Sequence, residues 1–253
     1  MESSRKIHWC AIGDSFTYLN DRLDETNHFV SRGYLTRILD RLPQLRLTNL
    51  GLNGSTTRDW LTAPLVKADL YTILLGTNDW HAGIPLGTDA DFAAQRPGTI
   101  LGNLGVLTAR IRALSPEAKL LVLNPVERSD FVYYFDPFNN APGSYAPEHG
   151  QKLSDIAAAI YVTAQKHGIP ALDLHTLSGI TAENAVRFKR VRVGNAIRDL
   201  PYPDYVGLPF DPANDPYPYP SEAHGMTFDG LHPTDAGNAR IAALIAEKLA
   251  ELL

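Results

Sequence analysis

Short, almost wholly apolar runs alternate with amphipathic segments along this chain, and that rhythm limits its fold more than any other feature. The runs are IHWCAIG (7–13), LRLTNLG (45–51), LYTILLG (70–76), KLLVLNP (119–125) and IPALDL (169–174). Each is short, nearly continuously apolar and runs into Gly, Asn, Pro or Asp, as strands buried on both faces do, so both faces are expected to be covered. Between them lie helical patterns. SRGYLTRILDRLP (31–43) carries Tyr34, Leu35, Ile38, Leu39 and Leu42 at helical spacing and stops at Pro43. TILGNLGVLTARIRALSP (99–116) stops at Pro116, and the segment 149–170 stops at Gly168 with Lys166 and His167 in its last turn. The C-terminal run 234–253 places Ile241, Leu244, Ile245, Leu249 and Leu252 on one face. Strands that alternate with helices predict an α/β fold, a doubly wound parallel sheet.

At 253 residues the chain fits one domain spanning 1–253. Two segments are too long for ordinary connections, 127–149 and 187–226, and are expected as loop insertions at strand ends. A formal net charge of −5 argues against a general binder of nucleic acid or anionic membrane. The single cysteine, Cys10, excludes an internal disulfide and a cysteine metal cluster, and its apolar run predicts a buried core residue. The start MESSRKIHWCAIGD has no apolar signal region, and no stretch approaches the ~20 apolar residues of a membrane span, so a cytoplasmic location is expected.

Ligands of open α/β sheets bind beyond the carboxyl ends of the strands, so polar residues there carry the chemistry. Gly13-Asp14-Ser15 follows the first run, Asn49 to Thr56 the second, and Gly76-Thr77-Asn78-Asp79 the third. Asp229-Gly230-Leu231-His232-Pro233 precedes the last helix. Serine hydrolysis of an acyl group needs a base, a residue that orients the base, and donors aimed at the oxyanion. Ser15 is the candidate nucleophile and His232 the base, with Asp229 reaching the other imidazole nitrogen. The N–H groups of Ser15 and Gly54 and the amide of Asn78 are the candidate oxyanion donors.

Those blocks resemble the SGNH (GDSL) hydrolases, whose named residues match Ser15, Gly54, Asn78 and His232 in order, with Asp229-x-x-His232 near the C-terminus. The resemblance runs from about Ile7 to Leu253. It implies a three-layer α/β/α, flavodoxin-like fold with a five-stranded parallel sheet, and a serine esterase that needs no cofactor and no metal. Two departures stand out. SFTYLND follows where the family often has a glycine soon after the serine, and Gly51 competes with Gly54 for the second block. Gly54 is preferred because Ser55-Thr56 follows it. The inserted loops carry Tyr, Asp, Asn and Pro, and no apolar stretch suggests an acyl tunnel. This points to short acyl groups, acetyl above all, on a carbohydrate or other polar alcohol, hence a small-molecule or oligosaccharide ester as substrate. A lipase or thioesterase acting on longer chains is the alternative within the family.

Asp14 is expected to shape its turn, and together with Asp79, Trp80 and His81 to line the substrate pocket. His8, His28, His149, His167, His175 and His224 have no partner at a telling spacing. RFKRVRVG (187–194) reads as a half-exposed strand or loop, and the tyrosines of 202–219 either stack on sugar rings or pack on themselves. Two readings of other classes compete. One is a metal-dependent phosphoesterase with Asp14, Asp79, Asp229 and His232 as ligands; the other is a non-catalytic carbohydrate-binding protein. No Gly-x-Ser-x-Gly elbow, Walker loop, His-Glu-x-x-His or Gly-x-Gly-x-x-Gly occurs.

Overall fold

A computed structural model describes residues 6–253; residues 1–5, the start of the stretch read for a signal sequence, lie outside the described residues. The elements in chain order begin with β1 (Ile7–Gly13), α1 (Ser15–Tyr18), α2 (Tyr34–Arg41), β2 (Leu45–Asn49) and β3 (Leu70–Leu74). Next come α3 (Thr77–His81), α4 (Asp89–Ala93), α5 (Ile100–Leu114), β4 (Lys119–Leu123), β5 (Phe131–Val132), β6 (Asn140–Ala141) and α6 (Leu153–Lys166). The chain closes with β7 (Ala171–Leu172), α7 (Leu174–Leu177), α8 (Ala182–Ala185), β8 (Lys189–Val193), β9 (Ala196–Leu200) and α9 (Asp235–Leu252).

Five strands form one parallel sheet in the order β2-β1-β3-β4-β7. Helices cover both faces, which is the three-layer α/β/α arrangement. Successive side chains of a strand point to opposite faces, and β1 shows it: Trp9 and Ala11 join the core under α2 and α9, while Cys10 and Ile12 join the core under α5 and α6. Both layers need apolar residues, and a continuous run supplies them. Burial pushes the Cys10 thiol up to about 12, consistent with an inert core residue.

The helices start where the sequence offers a cap. Thr99 accepts from the Gly102 N–H at the head of α5, and Thr234 from that of Gly237 at the head of α9. The fifth apolar run gives a strand much shorter than its six residues suggest. Asp173 caps α7 by accepting from the Thr176 N–H, and so turns the edge strand into a helix after Leu172. The short helices α3, α4, α7 and α8 carry too few turns to leave a periodic signature.

Both long segments hold small antiparallel hairpins, β5–β6 in the first and β8–β9 in the second. The basic run is β8, and its charges are paired: Lys189 with Asp130, Arg190 with Asp199, Arg192 with Asp215. Tyr205 and Tyr219 are buried, so these two tyrosines of the segment pack inward while most of it stays at the surface. The Tyr205 hydroxyl meets Ser129 Oγ at 2.5 Å, and the Tyr217 and Tyr219 hydroxyls donate to the carbonyls of Val132 and Asp130. The second inserted segment thus braces the first. No helix among the described residues is long and apolar enough to cross a membrane.

Candidate active site

The strand order reverses between β1 and β3, and the crevice at that switch point is the expected ligand site. Ser15 follows β1 and Asn78 follows β3, so the topology sets them on either side of it. Asp14 caps α1 by accepting from the Phe16 N–H at 3.0 Å, and Ser15 takes the first helical position. The Ser15 N–H, one of the donors a helix start leaves unpaired, has no partner among the described residues.

Ser15, 217 positions away in sequence, meets His232: its Oγ lies 2.8 Å from Nε2. His232 Nδ1 lies 2.6 Å from Asp229 Oδ2. The other oxygen, Oδ1, accepts from the N–H groups of Leu231 (3.0 Å) and His232 (2.7 Å). A carboxylate accepts, so Nδ1 carries the proton and Nε2 is left to accept from the serine hydroxyl. The imidazole stacks on Phe228 at 5.8 Å and meets the edge of Phe131 at 5.5 Å, which fixes its plane.

Gly54 and Asn78 both border the cleft with Ser15 and His232. Asn78 Nδ2 donates to Ser55 O at 3.0 Å, which ties the loop after β2 to the helix after β3. Gly54 sits at φ +70, a left-handed conformation that glycine adopts without a Cβ penalty, and its N–H has no partner among the described residues. The N–H of Gly51 is taken by Asn49 Oδ1 at 2.8 Å, and Gly51 does not border the cleft. Of the competing glycines, only Gly54 has an N–H at the cleft.

The cleft has a volume of ≈ 310 Å³, at the small end of ligand pockets. Asn53, Thr56, Asn139 and Arg128 give polar walls, with Leu19, Phe131, Tyr133 and Leu231 between them. His81 borders it, but Asp14, Asp79 and Trp80 do not, which corrects the expected pocket lining. Within α3, Asn78 and His81 are three residues apart and share a face, so Asp79 and Trp80 turn inward. Asp79 accepts from Thr57 N–H at 3.0 Å and from its hydroxyl at 2.5 Å, and Trp80 Nε1 donates to Gln151 O at 2.8 Å. These two side chains hold α3, and with it Asn78, in place. Burial pushes the carboxyl of Asp14 up to about 7 and that of Asp79 up to about 6.

The ligand set of the metal-dependent alternative is engaged elsewhere: Asp14 by Phe16, Asp79 by Thr57, Asp229 by His232. Among the described residues no three His, Cys, Asp or Glu side chains are grouped so as to hold a metal ion. Arg128 is the charged cleft residue that sequence reasoning missed, as it missed Thr56, Tyr133 and Asn139. The signal was available, because Arg128 follows the fourth strand just as Ser15, Gly54 and Asn78 follow the first three. Its guanidinium lies over the Trp80 ring at 4.8 Å, Nη2 donates to Pro142 O at 3.0 Å, and burial lowers its pKa to about 10. It remains a cation at neutral pH.

Residues 11–240 match the family model described as GDSL-like lipase/acylhydrolase. A crystal structure described as a possible lipase from Chitinophaga pinensis DSM 2588 is 42% identical, covers 98% of this chain and 99% of its own, and superposes with a TM-score of 0.95. Two more distant structures share the fold. A catalytic mutant of an acetylxylan esterase from Geobacillus stearothermophilus is 15% identical with a TM-score of 0.55, covering 98% of this chain and 96% of its own. The native M. smegmatis aryl esterase is 17% identical with a TM-score of 0.51, covering 98% of this chain and 100% of its own. No curated protein matches the chain in sequence. Together the family match over most of the chain and the near-complete likeness to the Chitinophaga structure place this protein in the GDSL-like lipase/acylhydrolase family, as a carboxylic ester hydrolase.

Proposed function

We propose that this protein is a serine esterase acting through Ser15, His232 and Asp229 on short acyl esters, acetyl above all, of a carbohydrate or other polar alcohol. The observation that carries the reading is the unbroken hydrogen-bond chain Ser15–His232–Asp229 at the edge of the cleft. His232 Nε2 takes the hydroxyl proton as Ser15 Oγ attacks the ester carbonyl carbon. The N–H groups of Ser15 and Gly54 and the Asn78 amide hold the oxyanion that develops. His232 then returns the proton to the departing alkoxide, leaving an acyl-serine. Water attacks that ester with His232 again as base, and the acid departs. Asp229 keeps the proton on Nδ1 and stabilises the imidazolium formed in each half.

The short-acyl preference is supported by the modest cleft and by walls in which Asn, Thr and Arg alternate with small apolar patches. A longer-chain reading draws on the description of the Chitinophaga structure as a possible lipase. Esters of one alcohol graded from acetate to octanoate separate the two. The proposal expects kcat/KM to fall steeply with chain length, and a maximum at octanoate would overturn it. A fluorophosphonate probe should label the wild type and not Ser15→Ala. Labelling that survives this substitution, or ester hydrolysis at the wild-type rate, would remove Ser15 from the mechanism.

A further inference from the structure

We infer that Arg128 makes this cleft selective for esters that carry a carboxylate. The inference rests on the esterase reading above and names the substrate class of that same site.

The chain carries 28 Asp and Glu against 23 Lys and Arg, yet no carboxylate borders the cleft among the described residues. Its only permanent charge there is Arg128. That side chain is 2% exposed, and a cation so buried is costly unless its donors are met. They are met poorly. Glu148 Oε2 is 3.8 Å from Nη2, beyond hydrogen-bond range, and neither Arg128 Nε nor Glu148 Oε2 has a hydrogen-bond partner among the described residues. Glu148 is held off by its other oxygen, which accepts from His81 Nδ1 at 2.9 Å. Trp80 beneath and Pro142 O at one nitrogen fix the guanidinium plane.

What results is an oriented cation in the wall of the cleft, whose ion-pair partner Glu148 stands at 3.8 Å without a hydrogen bond to it and whose Nε has no acceptor among the described residues. A planar oxyanion is the group that complements it, and in a low-dielectric wall that contact is strong. A neutral hydroxyl needs no such cation, since the Asn and Thr side chains already supply donors and acceptors. The carboxylate belongs either to the acyl half of the ester or to its alcohol half.

Two substrate pairs distinguish these sources. Mono-4-nitrophenyl succinate against its methyl ester tests the acyl side; 4-acetoxybenzoate against methyl 4-acetoxybenzoate tests the alcohol side. In one pair the acid should be preferred by about tenfold or more in kcat/KM, carried mainly by KM. The preference should shrink as salt is raised. Arg128→Gln should lower the acid-to-ester ratio by about tenfold, and Arg128→Lys should keep part of it, as a point charge without the planar fork. A wild-type ratio near or below one in both pairs overturns the inference, as does an Arg128→Gln ratio equal to wild type. Should Arg128→Gln fail to fold, Glu148→Gln keeps the guanidinium and removes the carboxylate paired with it at 3.8 Å. That variant should raise the acid preference; an unchanged or lower preference counts against the inference. If neutral esters turn over normally with no acid preference, this inference alone fails. If no ester is hydrolysed and Ser15 resists the probe, the esterase reading fails with it.

Discussion

The backbone carbonyl of Asp130 occupies the space where a side chain on Gly230 would begin: a β-carbon there would stand 1.9 Å from the oxygen. Around that contact the Ser129 N–H donates to Gly230 O at 2.9 Å and the Val132 N–H to Asp229 O at 3.1 Å. The first inserted segment therefore lies directly on the turn that carries Asp229 and His232. Its own position is set from behind by Lys189, Tyr205 and Tyr219 of the second. The insertions are part of the apparatus that holds the imidazole against Ser15.

Gly230→Ala tests that contact. Gly230 has φ +91, so alanine adds backbone strain to the clash. We expect a stability loss of about 3 kcal/mol or more and lower esterase activity even well below the melting temperature. Thermal unfolding and ester hydrolysis on one preparation check both. A variant with wild-type Tm and kcat would show that the loop moves aside freely.

The buried pair of Lys189 Nζ and Asp130 Oδ2, 2.6 Å apart, makes a second prediction. Lys189→Met leaves the Asp130 carboxylate without its counter-ion, although Gly143 N–H and the Tyr145 hydroxyl still donate to it. The cost should be about 3–5 kcal/mol, and adding Asp130→Asn should recover part of it. Denaturant unfolding of the two single variants and the double variant gives the coupling energy. Strictly additive losses would mean that the pair does not act as a unit.

Asp14 supplies a pH dependence of stability. Its unfolded carboxyl titrates near 3.8 and its folded one near 7, raised by burial. Below the lower value both states are protonated. Between the two values the unfolded chain ionises first, so this group's stabilising contribution declines as pH rises and is gone above about 7. Asp14→Asn keeps an oxygen for the Phe16 N–H and removes the titration. Its Tm relative to wild type should therefore climb between pH 4 and pH 8, by about 2–4 °C for each kcal/mol relieved. A pH-independent difference would argue against a buried, proton-holding carboxyl.

The oxyanion role proposed for Asn78 makes a kinetic prediction. Asn78→Ala should lower kcat by about 10²–10³-fold with little change in KM, because the amide is needed when charge develops. Gly51 has no N–H to offer, so a bulky residue there should act through stability rather than through kcat. A KM defect without a kcat defect in Asn78→Ala would assign the amide to ground-state binding instead.

Much of this was legible in the chain itself. The central runs read as buried strands because a strand covered on both faces needs apolar side chains on both, and local order encodes that for β3 and β4; the edge strand β2 keeps Arg46 and Asn49 exposed. Ser15, Gly54 and Asn78 were legible because the topology sends ligands to strand ends, and Asp229 with His232 because three residues suffice to join a carboxylate to an imidazole. The tertiary structure decided what depends on distance in space rather than on spacing in sequence. It turned Asp79 and Trp80 inward while their helix neighbours Asn78 and His81 faced the cleft, since four-residue stretches carry too little period to tell faces apart. It brought Arg128 to the cleft wall, and it made the tyrosine-rich segment a brace for the loop over Gly230. Those outcomes arise from packing between segments far apart in the chain; only the place of Arg128 after the fourth strand left a local trace.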